Sequence, residues 1–300
     1  MSAPIHVWSP PTLRSTVGNS VVVPKLIGPP ELAESIQEQL VLAAPRDVGR
    51  QTKLIPSDQL RETKPPREIA LVSYQQEDES DLAIASMARN AGVEYVLRGE
   101  VMKERGIRAI TEADKRMTVS WQLTTLDESG VPDSSTVGQP VVVELEAALK
   151  KYPDLALAPE PKLALEAAVI RETLPLITPT VVRERVTLET PYGLPGGRKI
   201  RRGNALARSG RWHEAEQAWR EVSERYWYSS IAVHNLAIAA VARQDFSEAR
   251  RLARKAVRMK PSKLHKQTYV WIEQIQRAYH EAFDLPEPEE GWFLTRGREG

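Results

Sequence analysis

Cysteine is absent from this 300-residue chain, and its absence excludes several kinds of chemistry. Without a thiol there is no disulfide, no thiolate nucleophile and no cysteine-ligated metal. Long apolar runs are lacking as well: runs such as those at residues 21–23 and 141–143 fall far short of the roughly 20 residues of a membrane-spanning helix. The remaining composition, 41% hydrophobic and 27% charged, is that of a globular protein, and the length suits two domains.

Motifs for metal binding and catalysis begin in the sequence but stay incomplete. The His-Glu pair at His213 has Gln217 where the second imidazole of a zinc-protease motif belongs, and the pair at His280 has Asp284 there. The glycines of residues 193–197 lack the spacing of a phosphate-binding loop, and no Gly-x-Ser-x-Gly elbow is present. We therefore expect no catalytic residues, no metal site, no cofactor and no small-molecule substrate.

The net charge of +1 hides an uneven distribution along the chain. Residues 1–197 hold 21 basic and 27 acidic side chains, whereas residues 198–300 hold 20 basic and 13 acidic ones. Such a division indicates either separate surfaces with different partners or two halves that attract one another.

The first two thirds of the sequence mix strand and helix patterns. Residues 1–19 are rich in proline and indicate an extended leader without the apolar stretch of a signal peptide. Residues 20–190 predict an α/β or α+β domain, a sheet with flanking helices. Within it a helix begins at Asp81 and ends at Gly92, and the strand 117–126 shows the two-residue period of a half-buried strand. Other strands are predicted at residues 21–23, 52–55, 69–74, 95–103, 141–144 and 181–188.

After a Gly- and Pro-rich linker at residues 191–197, the pattern becomes helical. Positions separated by 34 residues match one another: Gly203 with Ala237, Gly210 with Gln244, Trp212 with Phe246, Ala215 with Ala249, Trp219 with Ala253, and Val222 with Ala256. This period is typical of tetratricopeptide repeats, in which small residues let two helices approach and an aromatic side chain fills the gap. The pattern predicts an all-α domain at residues 198–283, two repeats closed by a capping helix, and a flexible tail at 284–300.

Three pieces of residues 18–190 carry a resemblance to a known family. They are the strand 21–24 with Gly-Pro-Pro at 28–30, the run Ala-Gly-Val-Glu-Tyr-Val-Leu-Arg-Gly-Glu-Val at 91–101, and the strand 117–126 closed by Asp-Glu-Ser-Gly at 127–130. The segment resembles the lipoprotein superfamily of CsgG, LpoB and the TolB amino-terminal domain. The resemblance implies a protein-binding or assembly module of the bacterial envelope, without catalysis.

The same resemblance bears on localisation. Members of the superfamily are normally tethered by a lipidated cysteine after a signal peptide, and the printed chain contains neither. If Met1 stands in place of that cysteine, the proline-rich leader becomes the tether. The expectation is then a membrane-tethered protein that faces the periplasm, and otherwise a cytoplasmic one.

Candidate partner-binding residues lie on the first helices of the two repeats, which line the concave face. In this register they are Arg201, Asn204, Arg208, His234 and Asn235. The two asparagines match those that clamp a partner's terminal carboxylate in some tetratricopeptide adaptors, although Ile200 occupies the position of the clamp lysine. The residues therefore indicate either a peptide-binding groove or asparagines that only pack helices together.

A basic cluster marks the second helix of the second repeat, at Arg250, Arg251, Arg254, Lys255 and Arg258. Its stripe at every fourth residue suits phosphates, anionic lipid or an acidic protein, but it also suits a solvated helix face. Nucleic acid is the weaker interpretation, since no exposed aromatic residues alternate with the cations.

These observations predict a non-enzymatic adaptor or assembly factor of the bacterial envelope that captures a peptide or helix of a protein partner. The alternative is a cytoplasmic tetratricopeptide adaptor whose basic surface binds an acidic protein or nucleic acid.

Overall fold

A computed structural model of the chain describes residues 1–47, 49–61, 81–102, 115–127 and 132–293. Two compact units are present: Pro11–Pro179 forms one, and Met1–Pro10 together with Thr180–Gly300 forms the other. Both contain helices and sheet, so the α+β class is confirmed at this level. Among the described residues, no helix combines the length and apolar character required to cross a membrane.

The described strands and helices have the following bounds. The strands are β1 (Ser2–Ser9), β2 (Ser20–Val23), β3 (Lys53–Pro56), β4 (Tyr95–Val101), β5 (Arg116–Leu126), β6 (Pro132–Val137), β7 (Val141–Glu144) and β8 (Thr180–Thr187). The α-helices are α1 (Pro30–Leu42), α2 (Ser57–Arg61), α3 (Asp81–Asn90), α4 (Leu145–Lys151), α5 (Pro161–Ile177), α6 (Gly197–Arg208), α7 (Trp212–Arg225), α8 (Ser230–Ala242), α9 (Phe246–Met259) and α10 (Lys263–Ala282).

The unit at residues 11–179 is built on a mixed sheet in the order β3-β2-β4-β5-β6. Strands β3, β2 and β4 run parallel, β4 and β5 run antiparallel, and β6 and β7 pair with opposite halves of β5. Helix α1 begins with Pro30 at its first turn, where the missing N–H costs nothing, and it buries Ala33, Ile36 and Leu40 on one face. The described sheet and its helices thus enclose an apolar core.

The glycine of the Tyr-Val-Leu-Arg-Gly run in β4 is required by a neighbouring side chain on β5. Gly99 pairs directly with Trp121 of β5, and a Cβ atom at Gly99 would lie 2.6 Å from the indole ring. Only glycine leaves room for the fully buried Trp121 there. Gly92 ends the preceding helix with φ of +65°, as the Ala-Gly pair predicts.

Several sequence predictions for this unit are confirmed, and others are corrected. Strands β2, β3, β4, β5 and β7 lie within a residue or two of their predicted positions, whereas the strand predicted at 69–74 lies outside the described residues. Helix α5 ends at Ile177 and contains Pro175 in its last turn. Strand β6 was not predicted because all of its side chains are exposed, and no apolar alternation marks it.

The other unit combines the helices α6 to α10 with a two-stranded antiparallel ribbon. In the ribbon β1 pairs with β8, from Ser2 opposite Thr187 to Ser9 opposite Thr180. Strand β1 packs on α6, α8 and α10 and buries Ala3, Ile5 and Val7 among their apolar side chains. The ribbon thereby covers the face formed by alternate helices of the array.

This pairing corrects the domain boundaries expected from the sequence. Residues 2–9, part of the extended leader predicted at residues 1–19, form a strand that is paired with β8. The strand at 180–187 belongs with the helices and not with the sheet of residues 20–190, because its partner is β1. The units divide at Pro10 and Pro179, so the linker predicted at residues 191–197 lies within one unit.

Side-chain caps stabilise the starts of three helices in this unit. The side chains of Ser229, Asp245 and Ser262 accept hydrogen bonds from first-turn amides of α8, α9 and α10, respectively. Helices α7 and α9 begin at Trp212 and Phe246, the positions that the repeat pattern predicts for second helices. Consecutive helices from α6 to α10 pack on one another.

The tail is ordered further than the composition predicts. The Arg250 guanidinium donates to the Gly291 carbonyl, and the amide of Phe293 donates to Glu273. The Phe293 ring lies 4.4 Å from the guanidinium of Arg250, and Trp292 lies 4.7 Å from that of Arg277. The expected flexible tail at 284–300 is therefore fixed on the helices through residue 293.

The contact between α6 and α7 depends on the absence of a side chain at Gly203. A Cβ atom at this position would lie 2.4 Å from the indole Nε1 of the buried Trp219. We expect Gly203→Val to lower the free energy of unfolding by about 2–3 kcal/mol, because the fully packed indole cannot move away. Urea denaturation of Gly203→Val and of Ala205→Val, an exposed position on the same helix, measures the difference. Equal losses in the two variants would contradict close packing at Gly203.

Candidate functional site

Glu189 lies two residues after the end of β8 and contacts α6, α8 and α10, whose common side we call the inner face of the helical array. Its carbonyl oxygen accepts hydrogen bonds from the side-chain amides of Asn204 on α6, at 3.0 Å, and of Asn235 on α8, at 3.1 Å. Its own N–H donates to Asn235 Oδ1 at 3.0 Å. The two asparagines therefore bind the backbone of the chain itself.

The hydrogen-bonding capacity of both asparagines is largely used. Asn235 Nδ2 also donates to Asn204 Oδ1 at 2.9 Å, and this oxygen accepts a further bond from Trp219 Nε1 at 3.2 Å. Asn235 Oδ1 accepts from His234 Nδ1 in addition to the Glu189 amide. Because both asparagines are fully buried, this set holds Glu189 in one position.

The Glu189 carboxylate is held at the same place by two cations. Its Oε2 lies 2.6 Å from Nε2 of His265 on α10, and its Oε1 lies 2.9 Å from Nζ of Lys260. The other ring nitrogen of His265, Nδ1, faces the carbonyl oxygens of Ala256 and Lys260. Since all these neighbours are acceptors, both ring nitrogens of His265 act as donors, which is the charged imidazolium form.

Contact between the two groups lowers the pKa of Glu189 and raises the pKa of His265. Burial alone raises the pKa of Glu189, but the hydrogen bonds and charges of His265 and Lys260 outweigh burial and lower it to about 2. Burial likewise opposes the charge of His265, yet the hydrogen bond and charge of Glu189 raise the pKa of His265 above its ordinary value. The pair is therefore ionised at neutral pH.

A second histidine stacks on the first and stays neutral. His234 Nδ1 donates to Asn235 Oδ1, and His234 Nε2 lies 2.9 Å from the hydroxyl of Thr268. Burial lowers the pKa of His234 to about 4, and the nearby charge of His265 acts in the same direction. The two imidazole rings stack with centroids 4.7 Å apart, one charged and one neutral.

The cluster of Glu189, His234 and His265 also has the composition of a metal site. Ligand atoms of the three residues lie within 4.8 Å of one another. However, the two rings stack within 19° of parallel, so their planes cannot both contain a single ion, and each ring nitrogen has a protein partner. The arrangement fits a hydrogen-bonded clamp, which we call the Glu189 clamp: Glu189, Asn204, His234, Asn235, Lys260 and His265.

This geometry corrects the expected open groove. Asn204, His234 and Asn235 were predicted to meet a partner, but they are buried and bonded within the chain. The physical reason is that Glu189 offers the same backbone groups that a foreign peptide would offer. Arg201 and Arg208, predicted for the same face, are exposed.

The predicted basic cluster divides into buried and exposed members. Arg250 is buried and donates to Gln276 and to the tail, so it helps to fix the chain and does not face solvent. Arg251, Arg254, Lys255 and Arg258 are exposed. Three of them line a shallow depression of about 380 Å³ with Met259, and Arg251 pairs with Glu248.

Sequence patterns did not predict that Glu189 takes part in the clamp. Glu189 lies in an irregular segment after β8, 76 residues before its partner His265, and no motif links the two. His234 and Thr268, which are hydrogen-bonded, lie 34 residues apart, the period of the sequence pattern. This spacing is the sequence signal that relates α8 to α10 at the clamp.

Comparison with known proteins identifies no family for this chain. No family model matches the chain, and no curated protein matches it. Among solved structures, similarity is found to two structures of the PelC dodecamer from Paraburkholderia phytofirmans, one of them a point variant. The variant covers 59% of this chain and 98% of its own, with 16% identity and a TM-score of 0.28. The other covers 59% and 97%, with 16% identity and a TM-score of 0.25. A likeness this weak establishes neither a shared fold nor a shared function.

Removing the charge of Glu189 tests the clamp. We expect Glu189→Gln to lower the pKa of His265 below its ordinary value, because burial then acts without an opposing carboxylate. We also expect a loss of about 2–3 kcal/mol in the free energy of unfolding, the usual contribution of a charged hydrogen bond. NMR titration of the His265 ring and urea denaturation measure both effects. Glu281→Gln, at an exposed position, is the control, and an unchanged pKa of His265 would contradict the clamp.

The two histidines predict opposite dependences of stability on pH. The raised pKa of His265 contributes stability that is complete below about pH 6.5 and is lost as the pH rises through the folded-state value. The pKa of His234, lowered from 6.5 to about 4, contributes stability that is complete above about pH 6.5 and is lost as the pH falls through 4.

Denaturant unfolding from pH 4.5 to pH 9 measures both effects. His265→Gln is expected to flatten the alkaline decline, and His234→Gln is expected to flatten the acid decline by up to about 3 kcal/mol. Parallel profiles for wild type and both variants would show that neither histidine titrates in this way.

Proposed function

We propose that the protein is a non-catalytic protein-binding adaptor or assembly factor whose helical unit consists of two tetratricopeptide repeats. The first repeat would be α6 and α7, the second α8 and α9, and α10 would cap them. The observation that carries the proposal is the recurrence of the packing after 34 residues. Gly203 meets Trp219 in one pair of helices, and the buried Ala237 and Ala253 take the equivalent positions in the next.

Several other positions support the same register. Ala215 and Ala249, three residues after the starts of α7 and α9, are both fully buried. Such small residues let paired helices approach closely. Helix α10 and the β1–β8 ribbon cover apolar surface that two repeats alone would expose.

Because the Glu189 clamp uses the inner face, a protein partner must bind to groups that remain exposed. Arg201 and Arg208 lie two turns apart on α6, the helix that also carries Asn204 of the Glu189 clamp, and both are exposed. Their guanidinium groups suit carboxylates of a peptide or helix. We place the partner-binding surface at these arginines and not at the asparagines.

The envelope setting is part of the proposal. It rests on the resemblance of residues 18–190 to the CsgG and LpoB superfamily, which is consistent with the sheet and flanking helices of this unit. In that setting the protein would be tethered to a membrane and would face the periplasm. No enzymatic role is proposed, since the cluster of ionisable groups in the Glu189 clamp serves to hold the chain.

A second candidate function is supported by the exposed cations of α9. Arg251, Lys255 and Arg258 line one depression, which suits an acidic protein segment or the phosphates of a nucleic acid. In that case the protein would be a cytoplasmic adaptor. Binding of a polyanion through these cations would weaken steeply as salt increases, because bound counterions are released, whereas two arginines that contact carboxylates on α6 would give a smaller salt dependence.

Affinity capture with the full chain tests the adaptor function. We expect specific partners to be retained by wild type and lost from Arg201→Glu/Arg208→Glu, because reversed charge repels partner carboxylates. Arg251→Glu/Lys255→Glu/Arg258→Glu tests the second candidate in parallel, at low and high salt. Arg183→Glu/Arg185→Glu, on exposed positions of β8, is the matched control.

The three charge reversals distinguish the outcomes. Loss confined to the α6 variant supports the adaptor surface beside the groove, and salt-sensitive loss confined to the α9 variant supports the second candidate. Equal retention by all variants would refute both surfaces.

A further inference from the structure

Large apolar side chains project into solvent from two loops of the helical unit. Tyr192 and Leu194, before α6, are 91% and 52% exposed, and Trp227 and Tyr228, between α7 and α8, are 77% and 54% exposed. A soluble surface seldom presents several large apolar groups side by side without a binding role. Repeat packing does not require these rings, because the repeat aromatics Trp212, Trp219 and Phe246 lie elsewhere.

The two loops lie next to each other. A Cβ atom at Gly196 would lie 3.1 Å from the ring of Tyr226, so the first loop touches the start of the second. The Tyr226 and Tyr228 rings are 6.2 Å apart, and the Trp227 and Tyr228 rings are 5.9 Å apart. We call this set the aromatic tip: Tyr192, Leu194, Tyr226, Trp227 and Tyr228.

Basic side chains border the aromatic tip. A cavity of about 330 Å³ is lined by Leu194 and Tyr226 and by Arg198, Lys199, Arg201 and Arg225. Its one acidic lining residue, Glu221, pairs with Lys199. Residues 198–202 and 221–225 together carry five basic and two acidic side chains, so the border has a positive excess.

Aromatic rings beside cations match the chemistry of a lipid interface. Tryptophan and tyrosine prefer the headgroup level of a bilayer, where one side of the ring is apolar and the other is wet. Arginine and lysine at the same level contact lipid phosphates, and each adds to the attraction of an anionic surface. We propose that this end of the helical unit docks on an anionic membrane surface, with the aromatic tip at headgroup level and the basic border on the phosphates.

The exposure of the rings favours a bilayer over a protein as the occupant. Aromatic anchors of protein interfaces are most effective in pockets that exclude water. Here Tyr192 and Trp227 project almost completely, and the adjoining cavity is lined by charged groups and glycine backbone more than by apolar side chains. Projecting rings next to cations suit a deformable, negatively charged surface. The proposal does not depend on the adaptor function.

Vesicle flotation of the full chain tests the proposal. Wild type is expected to float with vesicles of phosphatidylcholine mixed with phosphatidylglycerol and to stay behind with phosphatidylcholine alone. Trp227→Ser/Tyr228→Ser and Arg198→Glu/Arg225→Glu are each expected to weaken binding by at least about tenfold. Brominated lipids are expected to quench part of the tryptophan fluorescence of wild type, and this part should vanish in Trp227→Ser.

Two matched variants serve as controls. Leu157→Ser removes an 88% exposed apolar side chain from the other unit, and Arg183→Glu/Arg185→Glu reverses two exposed cations on β8. Both should bind vesicles as wild type does, and circular dichroism should show that all variants remain folded.

The proposal would be overturned by any of three results. One is that wild type does not bind anionic vesicles. Another is that the β8 variant loses as much binding as the variants at the tip, which would indicate attraction by overall charge. The third is that the aromatic variant binds vesicles normally but loses self-association or protein capture, which would make the tip a protein interface.

Discussion

The helical unit depends on the way it holds Glu189. Two buried amides fix the backbone of this residue, and an imidazolium and an ammonium fix its carboxylate. These groups come from α6, α8, the end of α9 and α10, so a single residue is bonded to elements from one end of the array to the other. A buried polar network of this kind stabilises only when every member is satisfied, and here the members satisfy one another.

The same arrangement changes where function can lie. In an open repeat array, alternate helices present their polar groups to a ligand, and the sequence places asparagines at suitable positions. In this chain the ligand position is taken by its own ribbon and by the residues that follow it. The surfaces that we propose for partners are therefore the outer cations of α6 and α9 and the loops at one end of the array. All of them lie outside the filled inner face.

The parts of the fold that follow local rules were predictable from the sequence, and those that depend on distant pairing were not. The 34-residue period located the starts of α7 and α9, because aromatic and small residues must recur where helices meet. The strand β5 followed from its two-residue period. In contrast, β1 contains a proline, and its partner β8 lies far away in sequence, so no local pattern reveals their pairing.

The candidate site shows the same limit. The positions of Asn204 and Asn235 were predictable from the repeat register, but their partner, Glu189, comes from a segment without regular structure. A register assigns a residue to a helix face and does not say what covers that face. Arg250 likewise has the spacing of an exposed stripe, yet it is buried by a tail whose composition indicates disorder.

The β1–β8 pairing makes the unit at residues 11–179 an insertion within the helical unit. The chain leaves the ribbon after Ser9 and re-enters it at Thr180, two residues that face each other across the ladder. During synthesis, β1 has no partner until about 170 further residues have been made. The inserted unit can fold in that interval, while Ile5 and Val7 remain an unpaired apolar edge. The ribbon can therefore close only after β8 has been made, so β1 is paired later than the strands of the inserted unit can be.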